Sequence, residues 1–312
     1  MNRVKIKAYA KINLTLEIVG QEEKYHLLDS LVASVDIYDV IVLKKRKDAL
    51  SSVRMHGQGS ESIPPEKNNA LKAAEAFSQK FGVNGVDVTV YKNIPIGAGL
   101  GGSSADVSGV LSGMAKLYKI DDKAGVEALA ETLGSDVKYM LDGGFVRMQG
   151  RGERLIPTRI SERLNLLLLC PKSSVNTGAC YQKYDDLTIP FTAGEYTENC
   201  LSALEQNNQA EGGRYLTNAL FSAATTLNTD VQKAYDALLE FSPLGVAMTG
   251  SGSAVFAVFE TQELCEWAKS RYKGKARAYV TRTIVPRLEE KKIWKNPFSL
   301  SRGEKELLES EE

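Results

Sequence analysis

The sequence predicts an α+β fold in two domains that meet near residue 155. Stretches rich in β-branched residues, partly alternating, fill most of the first 45 residues. Extended and helical patterns then alternate through the first half. Near Glu153–Arg163 the composition shifts, and a second set of strands and helices follows. With 312 residues the chain is long enough for one large domain or two ordinary ones. No internal repeat is present.

Val4–Val19 is β-rich with period-2 stretches. Leu27–Lys44 is extended, with Val32, Val35, Ile37, Val40, Ile41 and Val42 as its β-branched content. Asn68 or Asn69 can cap a following helix, because a short polar side chain accepts from the open backbone NH groups. Ala70, Leu71, Ala74, Phe77 and Phe81 form that helix's apolar stripe. Val86–Tyr91 alternates as a strand. The segment Lys92–Ser104, KNIPIGAGLGGSS, leads into a helix marked by Val107, Val110, Leu111, Met114 and Leu117. Leu164–Cys170 reads as a buried strand that Pro171 ends. Helices are expected around Ala203–Ala223 and Asp230–Glu240. Val246–Phe259 reads as two short strands joined by Gly250-Ser251-Gly252. Glu263–Tyr272 is a helix and Ala276–Val285 a last strand. The charge-rich tail 289–312, broken by Pro297, is expected to be partly helical or disordered and to take no part in the chemistry.

Composition narrows the function. Hydrophobic residues make up 43% and charged residues 25%, which fits an ordinary globular protein. Thirty-nine Lys+Arg balance 39 Asp+Glu, so broad nucleic-acid binding is not expected. The best apolar run, Leu164–Cys170, contains Asn165 and is far shorter than the roughly 20 residues of a membrane span. The N-terminus, MNRVKIKAYAKINLTL, reads as a strand and not as a signal peptide. Cys170, Cys180, Cys200 and Cys265 form no CxxC, and only two histidines are present to join them. The expectation is reduced thiols in a cytoplasmic protein, with no metal site built from them. A monomer or homodimer acting on a small molecule is expected, with no nucleic-acid or membrane partner.

The run Gly97-Ala98-Gly99-Leu100-Gly101-Gly102-Ser103-Ser104 lies between a strand and a helix. Glycines permit positive φ and close approach of a ligand. The helix start adds open NH groups and the positive end of its dipole, an arrangement suited to phosphate. Ser103 and Ser104 add hydroxyl donors. Asp106, in the first turn, could hold a metal ion or cap the helix. No Lys follows Gly102, so this is not a P-loop. Gly97, Gly99 and Gly102 spell GxGxxG, but the helix leads to Asp121-Asp122 in a turn and not at a strand end, which does not fit a dinucleotide loop. The competing reading is a tight strand-to-helix turn without a ligand.

Pro95-x-x-x-Gly99-Leu100-Gly101-Gly102-Ser103-Ser104-Ala105 resembles the PxxxGLGSSA signature of the GHMP small-molecule kinases, with one extra glycine. Ala10-Lys11-Ile12-Asn13-Leu14 resembles that superfamily's first motif, and Met248–Phe256, MTGSGSAVF, its third. Within it, the chain resembles the 4-diphosphocytidyl-2-C-methyl-D-erythritol kinase family. The counterparts of that family's segments are Lys24–Leu31, Ile94–Asp106, Gly134–Tyr139 and Gly150–Glu153. Lys24 replaces a glycine, Leu27 a glutamate, Ser103 the third loop glycine, and Lys138 a proline; Val107 and Ser108 stand where smaller residues are usual.

The resemblance implies a two-domain GHMP kinase fold: a ribosomal protein S5 domain 2-like domain over 1–155 and a ferredoxin-like domain over 156–288. It implies ATP-dependent phosphorylation of the 2-hydroxyl of 4-diphosphocytidyl-2-C-methyl-D-erythritol, in isoprenoid precursor synthesis, with Mg2+. Asp136 would take or orient the hydroxyl proton, and Lys11 would hold that carboxylate ionised and stabilise the moving phosphoryl charge. The competing reading of Asp136 is a helix N-cap, and of Lys11 a strand-surface lysine. Pro95 and Gly97 to Ser104 would cradle the ATP phosphates; Asn68 and Lys92 match positions that contact the nucleotide. Tyr25 and His26 match the cytidine-recognising pair, Tyr181 a second stacking aromatic, and Asn13 and Thr177 contacts to the rest of the acceptor. Asp106 matches a possible magnesium position. The rival readings are another GHMP kinase (homoserine, mevalonate or a sugar), a catalytically silent ligand-binding relative, and an RNA-binding module.

Overall fold

The computed structural model describes residues 2–23, 25–57, 64 and 68–284. Lys24, the end of the last predicted strand at Val285 and the tail 289–312 lie outside the described residues. The elements in chain order are β1 (Arg3–Asn13), β2 (Thr15–Glu22), β3 (Tyr25–Lys45), β4 (Ser52–His56), α1 (Asn69–Phe81), β5 (Val86–Tyr91), α2 (Gly102–Tyr118), α3 (Lys123–Leu133), α4 (Val137–Asp142), β6 (Phe145–Gly150) and β7 (Arg154–Pro157). Then come β8 (Asn165–Cys170), α5 (Thr177–Asp186), α6 (Glu195–Glu205), α7 (Gln209–Arg214), β9 (Thr217–Asn218), α8 (Phe221–Leu227), α9 (Thr229–Leu239), β10 (Gly245–Met248), β11 (Val255–Phe259), α10 (Gln262–Arg271) and β12 (Arg277–Ile284).

The 21-residue strand β3 is the spine. It pairs with β1, β2, β5, β6 and β12, all antiparallel. Its register against β1 jumps between Tyr9–Tyr38 and Ala10–Val35, so Asp36 and Ile37 are extra residues on β3. Such a bulge bends a strand and raises its twist. Lys11 lies just beyond the jump and Asp39 just before it, so this irregularity helps to set both charged residues.

Helix α2 lies against β1 and β3. An added Cβ on Gly109 would sit 2.7 Å from Ile41 Cγ1, and one on Gly113 2.5 Å from Leu43 Cδ1. These small residues let the helix approach the sheet closely. In the C-terminal half the strands run β10-β11-β8-β12 and are all antiparallel. In chain order they are first strand β8, then β10, β11 and β12, which is the ferredoxin-like order with the first strand central. β12 also pairs with β3, through Thr283–Val35 and Ile284–Ser34, so hydrogen bonding continues from one half to the other.

The helix predicted over Ala203–Ala223 is broken in the structure into the end of α6, α7, β9 and the start of α8. Asn207 takes φ +58°, and Asn208 caps α7 by accepting from Glu211 N. Gly213 comes so close to Leu244 that an added Cβ would lie 2.4 Å from its carbonyl oxygen. Thr217 and Asn218 then leave the helical path to pair with Thr15 and Leu16 of β2. A tertiary strand pairing overrides the helical pattern there. β4, α3, α4, β6, β7 and α5 are not among the elements read from the sequence. β4, α4, β6, β7 and α5 are short or carry few apolar residues, whereas α3 does have a regular stripe at Val126, Leu129, Ala130 and Leu133.

Phe77 is fully buried at the centre of α1's apolar stripe and packs against Phe81 at a centroid distance of 4.5 Å. Phe77→Ala is expected to destabilise the protein by about 3–5 kcal/mol, read by chemical denaturation.

Candidate active site

The glycine loop is fixed by backbone contacts on two sides. Gly97, Gly99 and Gly101 take φ +69°, +77° and +71°, a region that L side chains avoid. At Gly99 the constraint is also spatial: an added Cβ would lie 2.2 Å from Thr249 O and 3.0 Å from Gly252 O. Lys11 N donates to Leu100 O at 3.1 Å, and Ala254 N donates to Ala98 O at 3.1 Å. Thr249 Oγ1 donates to Gly99 O at 3.3 Å. Two segments far apart in sequence, around Lys11 and around Thr249–Ala254, therefore converge on one backbone loop.

The loop opens into α2, whose N-cap is Gly101 and has no capping side chain. First-turn NH groups lack intrahelical partners, so this helix start offers them to a ligand. A cleft of about 330 Å³ runs along it, lined by Asn68, Lys92, Pro95, Gly97 through Ser104, Asp106 and Thr177. Asn68 caps α1, accepting from Ala70 N and Leu71 N. Asn69 Nδ2 donates to Ser103 Oγ at 2.8 Å, and the hydroxyls of Thr177 and Ser251 are 2.9 Å apart.

Lys11 Nζ lies 3.4 Å from Asp136 Oδ2. The lysine side chain is 8% exposed and the carboxylate 25%. Asp136 precedes α4 but makes no side-chain cap bond, so its carboxylate faces Lys11 and not the helix start. Lys11 Nζ also donates to Asn13 Oδ1 at 2.6 Å. Asn13 Oδ1 accepts from Gly250 N at 3.1 Å as well, and Asn13 N donates to Thr249 Oγ1 at 3.0 Å. Asn13 is thus a bridge between β1 and the loop after β10.

Lys92 has a different environment. Its ammonium donates to Asp39 Oδ2, to Asp106 Oδ2 at 2.7 Å and, more weakly, to Gly102 O at 3.5 Å. Asp39 Oδ1 accepts from Asn93 N at 2.5 Å and Ile94 N at 2.8 Å. Asp106 Oδ1 is buried without a hydrogen-bond partner. Burial works against the Lys92 ammonium, but the charges of Asp106 and Asp39 outweigh it and raise its pKa. Burial pushes Asp106 up to about 7; Lys92 opposes this and Asp39 adds to it. One ammonium facing two buried carboxylates leaves the second poorly compensated. Asp106 does not cap α2: Oδ2 is taken by Lys92, and Oδ1 has no protein partner.

The aromatic residues gather at the far end of β3. His26 Nε2 is 2.6 Å from Asp185 Oδ1. The His26 ring stacks on Tyr181 at 5.0 Å and meets the edge of Tyr184 at 5.7 Å. Burial raises the Tyr181 hydroxyl's pKa, and the Asp136 charge adds to the effect. Tyr25 is 44% exposed, with the Arg151 guanidinium 4.3 Å from its ring centroid.

Comparison with known proteins shows the family. Residues 68–145 match the profile "GHMP kinases N terminal domain" and residues 200–272 match "GHMP kinases C terminal". A 4-diphosphocytidyl-2-C-methyl-D-erythritol kinase of Clostridium perfringens is 33% identical over 291 residues, 90% of this chain and 98% of the relative. One from Caldicellulosiruptor bescii is 34% identical over 260 residues, 82% of this chain and 89% of the relative.

The chain belongs to this kinase family of the GHMP superfamily.

A crystal structure of a 4-(cytidine 5'-diphospho)-2C-methyl-D-erythritol kinase superposes with a TM-score of 0.73 at 28% identity, covering 90% of this chain and 99% of that one. Homoserine kinase from Cytophaga hutchinsonii also superposes at 0.73, but at 18% identity, a likeness of fold alone. ATP use follows from membership of a kinase family. Among the described residues, no helix is long and apolar enough to cross a membrane.

The structure therefore brings Lys11, Asn13 and Asp136 together beside the glycine loop, whose cleft Thr177 helps to line, while His26 stacks on Tyr181 at the start of β3, next to Tyr25. Asp39, Ser30, Asp185 and Arg151 join these residues although the sequence analysis names none of them as site residues. Each is an ordinary strand, helix or loop residue in sequence, and only the pairing of distant segments gives it a role. Gly99→Ala is expected to weaken ATP binding by about tenfold or more, read by calorimetric titration. For Asp106 the folded pKa lies above the ordinary 3.8, so its stabilising contribution is complete below that value and is lost as pH rises through about 7. Relative to Asp106→Asn, the wild-type melting temperature should fall between about pH 4 and pH 7 and level off above that.

Proposed function

We propose that this chain transfers the γ-phosphoryl group of ATP to the 2-hydroxyl of 4-diphosphocytidyl-2-C-methyl-D-erythritol. The Lys11–Asp136 pair, 3.4 Å apart beside the glycine loop, carries the reading. Phosphoryl transfer asks a protein mainly for alignment and for charge placed where charge develops. The loop amides and the start of α2 receive the phosphates. Asp136, partly open to solvent, accepts the proton of the attacking hydroxyl. Lys11 keeps its positive charge beside both Asp136 and the transferring group.

The acceptor's base is assigned to the aromatic end. Tyr25 offers an exposed ring for stacking. With His26 Nε2 held by Asp185, the polar edge of the pyrimidine is read by Nδ1 or by nearby peptide groups. Thr177, which lines the cleft, and Asn13, which holds Lys11, are assigned to the acceptor's middle portion. Asn68 and Lys92 line the nucleotide end; the Lys92 ammonium is committed to carboxylates, so its stem and not its charge is left to touch the base.

Magnesium is the ion such transfers use to offset phosphate charge. Among the described residues no group of three His, Cys, Asp or Glu side chains could hold it, and Asp106 Oδ2 is turned to Lys92. Magnesium is commonly held by one or two carboxylates with phosphates and water, so its ligands are assigned to phosphate oxygens, water and the unpartnered Oδ1 of Asp106. We place the domain boundary near residue 155, at β7 and ahead of β8. The four cysteines are unpaired and buried, which supports a cytoplasmic setting.

The test is ADP release from ATP with this acceptor, beside homoserine and mevalonate. Turnover on the cytidine-bearing acceptor alone is expected; turnover on homoserine or mevalonate in its place, or on none with ATP still bound, would sink the reading. Asp136→Asn should lower kcat by about a thousandfold with ATP affinity nearly unchanged in calorimetry.

A further inference from the structure

Lys11 is held by Asn13, and Asn13 is itself held from below. Asn13 Nδ2 donates to Ser30 Oγ at 2.9 Å. Ser30 Oγ donates onward to Thr15 O at 2.5 Å. Ser30 is 1% exposed and Asn13 4%. The chain of bonds therefore runs from Thr15 O through Ser30 and Asn13 to the ammonium of Lys11.

Its direction is fixed at both ends. The Thr15 carbonyl only accepts, so the Ser30 hydroxyl proton is spent on it, and Ser30 Oγ is left to accept from Asn13. The Lys11 ammonium and Gly250 N only donate, so they require the Asn13 oxygen. Ser30 thus anchors the amide with its nitrogen pointing away from the cleft and its oxygen pointing at Lys11. Neither Ser30 nor Thr15 lines the cleft.

We infer that Ser30 is a positioning residue for the transfer, acting through Asn13 to hold Lys11 against Asp136. The inference rests on the reaction proposed above. Without the hydroxyl, the buried Asn13 NH₂ has lost its acceptor, and an unmade bond of that kind is costly in a dry site. Asn13 is then driven to rotate toward another acceptor, which takes its oxygen off Lys11 and loosens the ammonium. Neighbouring β2 uses the same device separately: Thr15 Oγ1 accepts from Leu31 N at 2.9 Å and lies 2.8 Å from Thr197 Oγ1, which donates to Asp29 O at 3.2 Å. That branch braces α6 and does not reach Lys11.

The experiment compares Ser30→Ala, Ser30→Thr and, as a control, Tyr118→Phe. Tyr118 Oη donates to Gly85 O at 3.0 Å at the opposite end of α2, so the control also loses one bond to a backbone carbonyl. Ser30→Ala is expected to lower kcat about tenfold, the equivalent of one lost hydrogen bond, with KM for ATP within about twofold. Ser30→Thr, which keeps a hydroxyl, is expected to recover most of kcat, and Tyr118→Phe to keep it all. Reductive methylation followed by peptide mass spectrometry reads Lys11 directly and needs no acceptor. Lys11 should be modified at least about threefold faster in Ser30→Ala than in wild type, with other lysines unchanged. If the wild type does not use the proposed acceptor, the proposed reaction fails and the labelling still decides the role of Ser30. Wild-type labelling of Lys11 in Ser30→Ala, or a kcat loss matched by Tyr118→Phe, overturns the inference.

Discussion

The close approach of Gly99 to the Thr249 carbonyl is the constraint on which the site depends. A Cβ at Gly99 would lie 2.2 Å from that oxygen, so the two loops meet backbone to backbone. Around this contact, Lys11 N binds Leu100 O and Ala254 N binds Ala98 O. The glycine loop is therefore positioned from β1 on one side and from the β10–β11 connection on the other. Because both supports are main chain, the loop's shape follows from the packing of the two halves. The β12–β3 pairing then fixes how those halves meet.

Two lysines beside the same loop have opposite roles, and their partners decide which is which. Lys92 faces two buried carboxylates and the start of α2, so its charge is used internally to fasten the loop helix to β3. Lys11 faces one carboxylate at 3.4 Å and one amide oxygen at 2.6 Å, an arrangement that keeps a positive charge at the cleft. The amide oxygen matters because it orients the ammonium without neutralising it. A second carboxylate in that place would have neutralised the ammonium.

Much of the site was legible in sequence because glycine clusters and the Ala10–Leu14 and Met248–Phe256 motifs carry strong local signals. Asn68 at a helix start and the glycine run before α2 are matters of backbone chemistry that a few residues express. Asp136 was harder, since Gly134-Ser135-Asp136 is also good capping sequence; its partner decided the matter, not its neighbours. Asp39 gave no signal, lying inside a β-rich run where one acidic residue looks like a solvent-facing position. It is fully buried, bonded to Asn93 N and Ile94 N and to Lys92. The helix expected over Ala203–Ala223 failed for the same kind of reason: Thr217 and Asn218 pair with β2, and no local pattern encodes a two-residue parallel pairing.

By itself the sequence determined the strand and helix content of most elements, the phosphate-suited loop and the kinase family, because period, turn chemistry and motif order are properties of short segments. Only the tertiary structure decided which charges face each other. It set Asp136 against Lys11, spent Lys92 on Asp39 and Asp106, and ran the Thr15–Ser30–Asn13 chain beneath the site. Electrostatic and hydrogen-bond partners are chosen by distance in space, and strands that are remote along the chain supply most of them here.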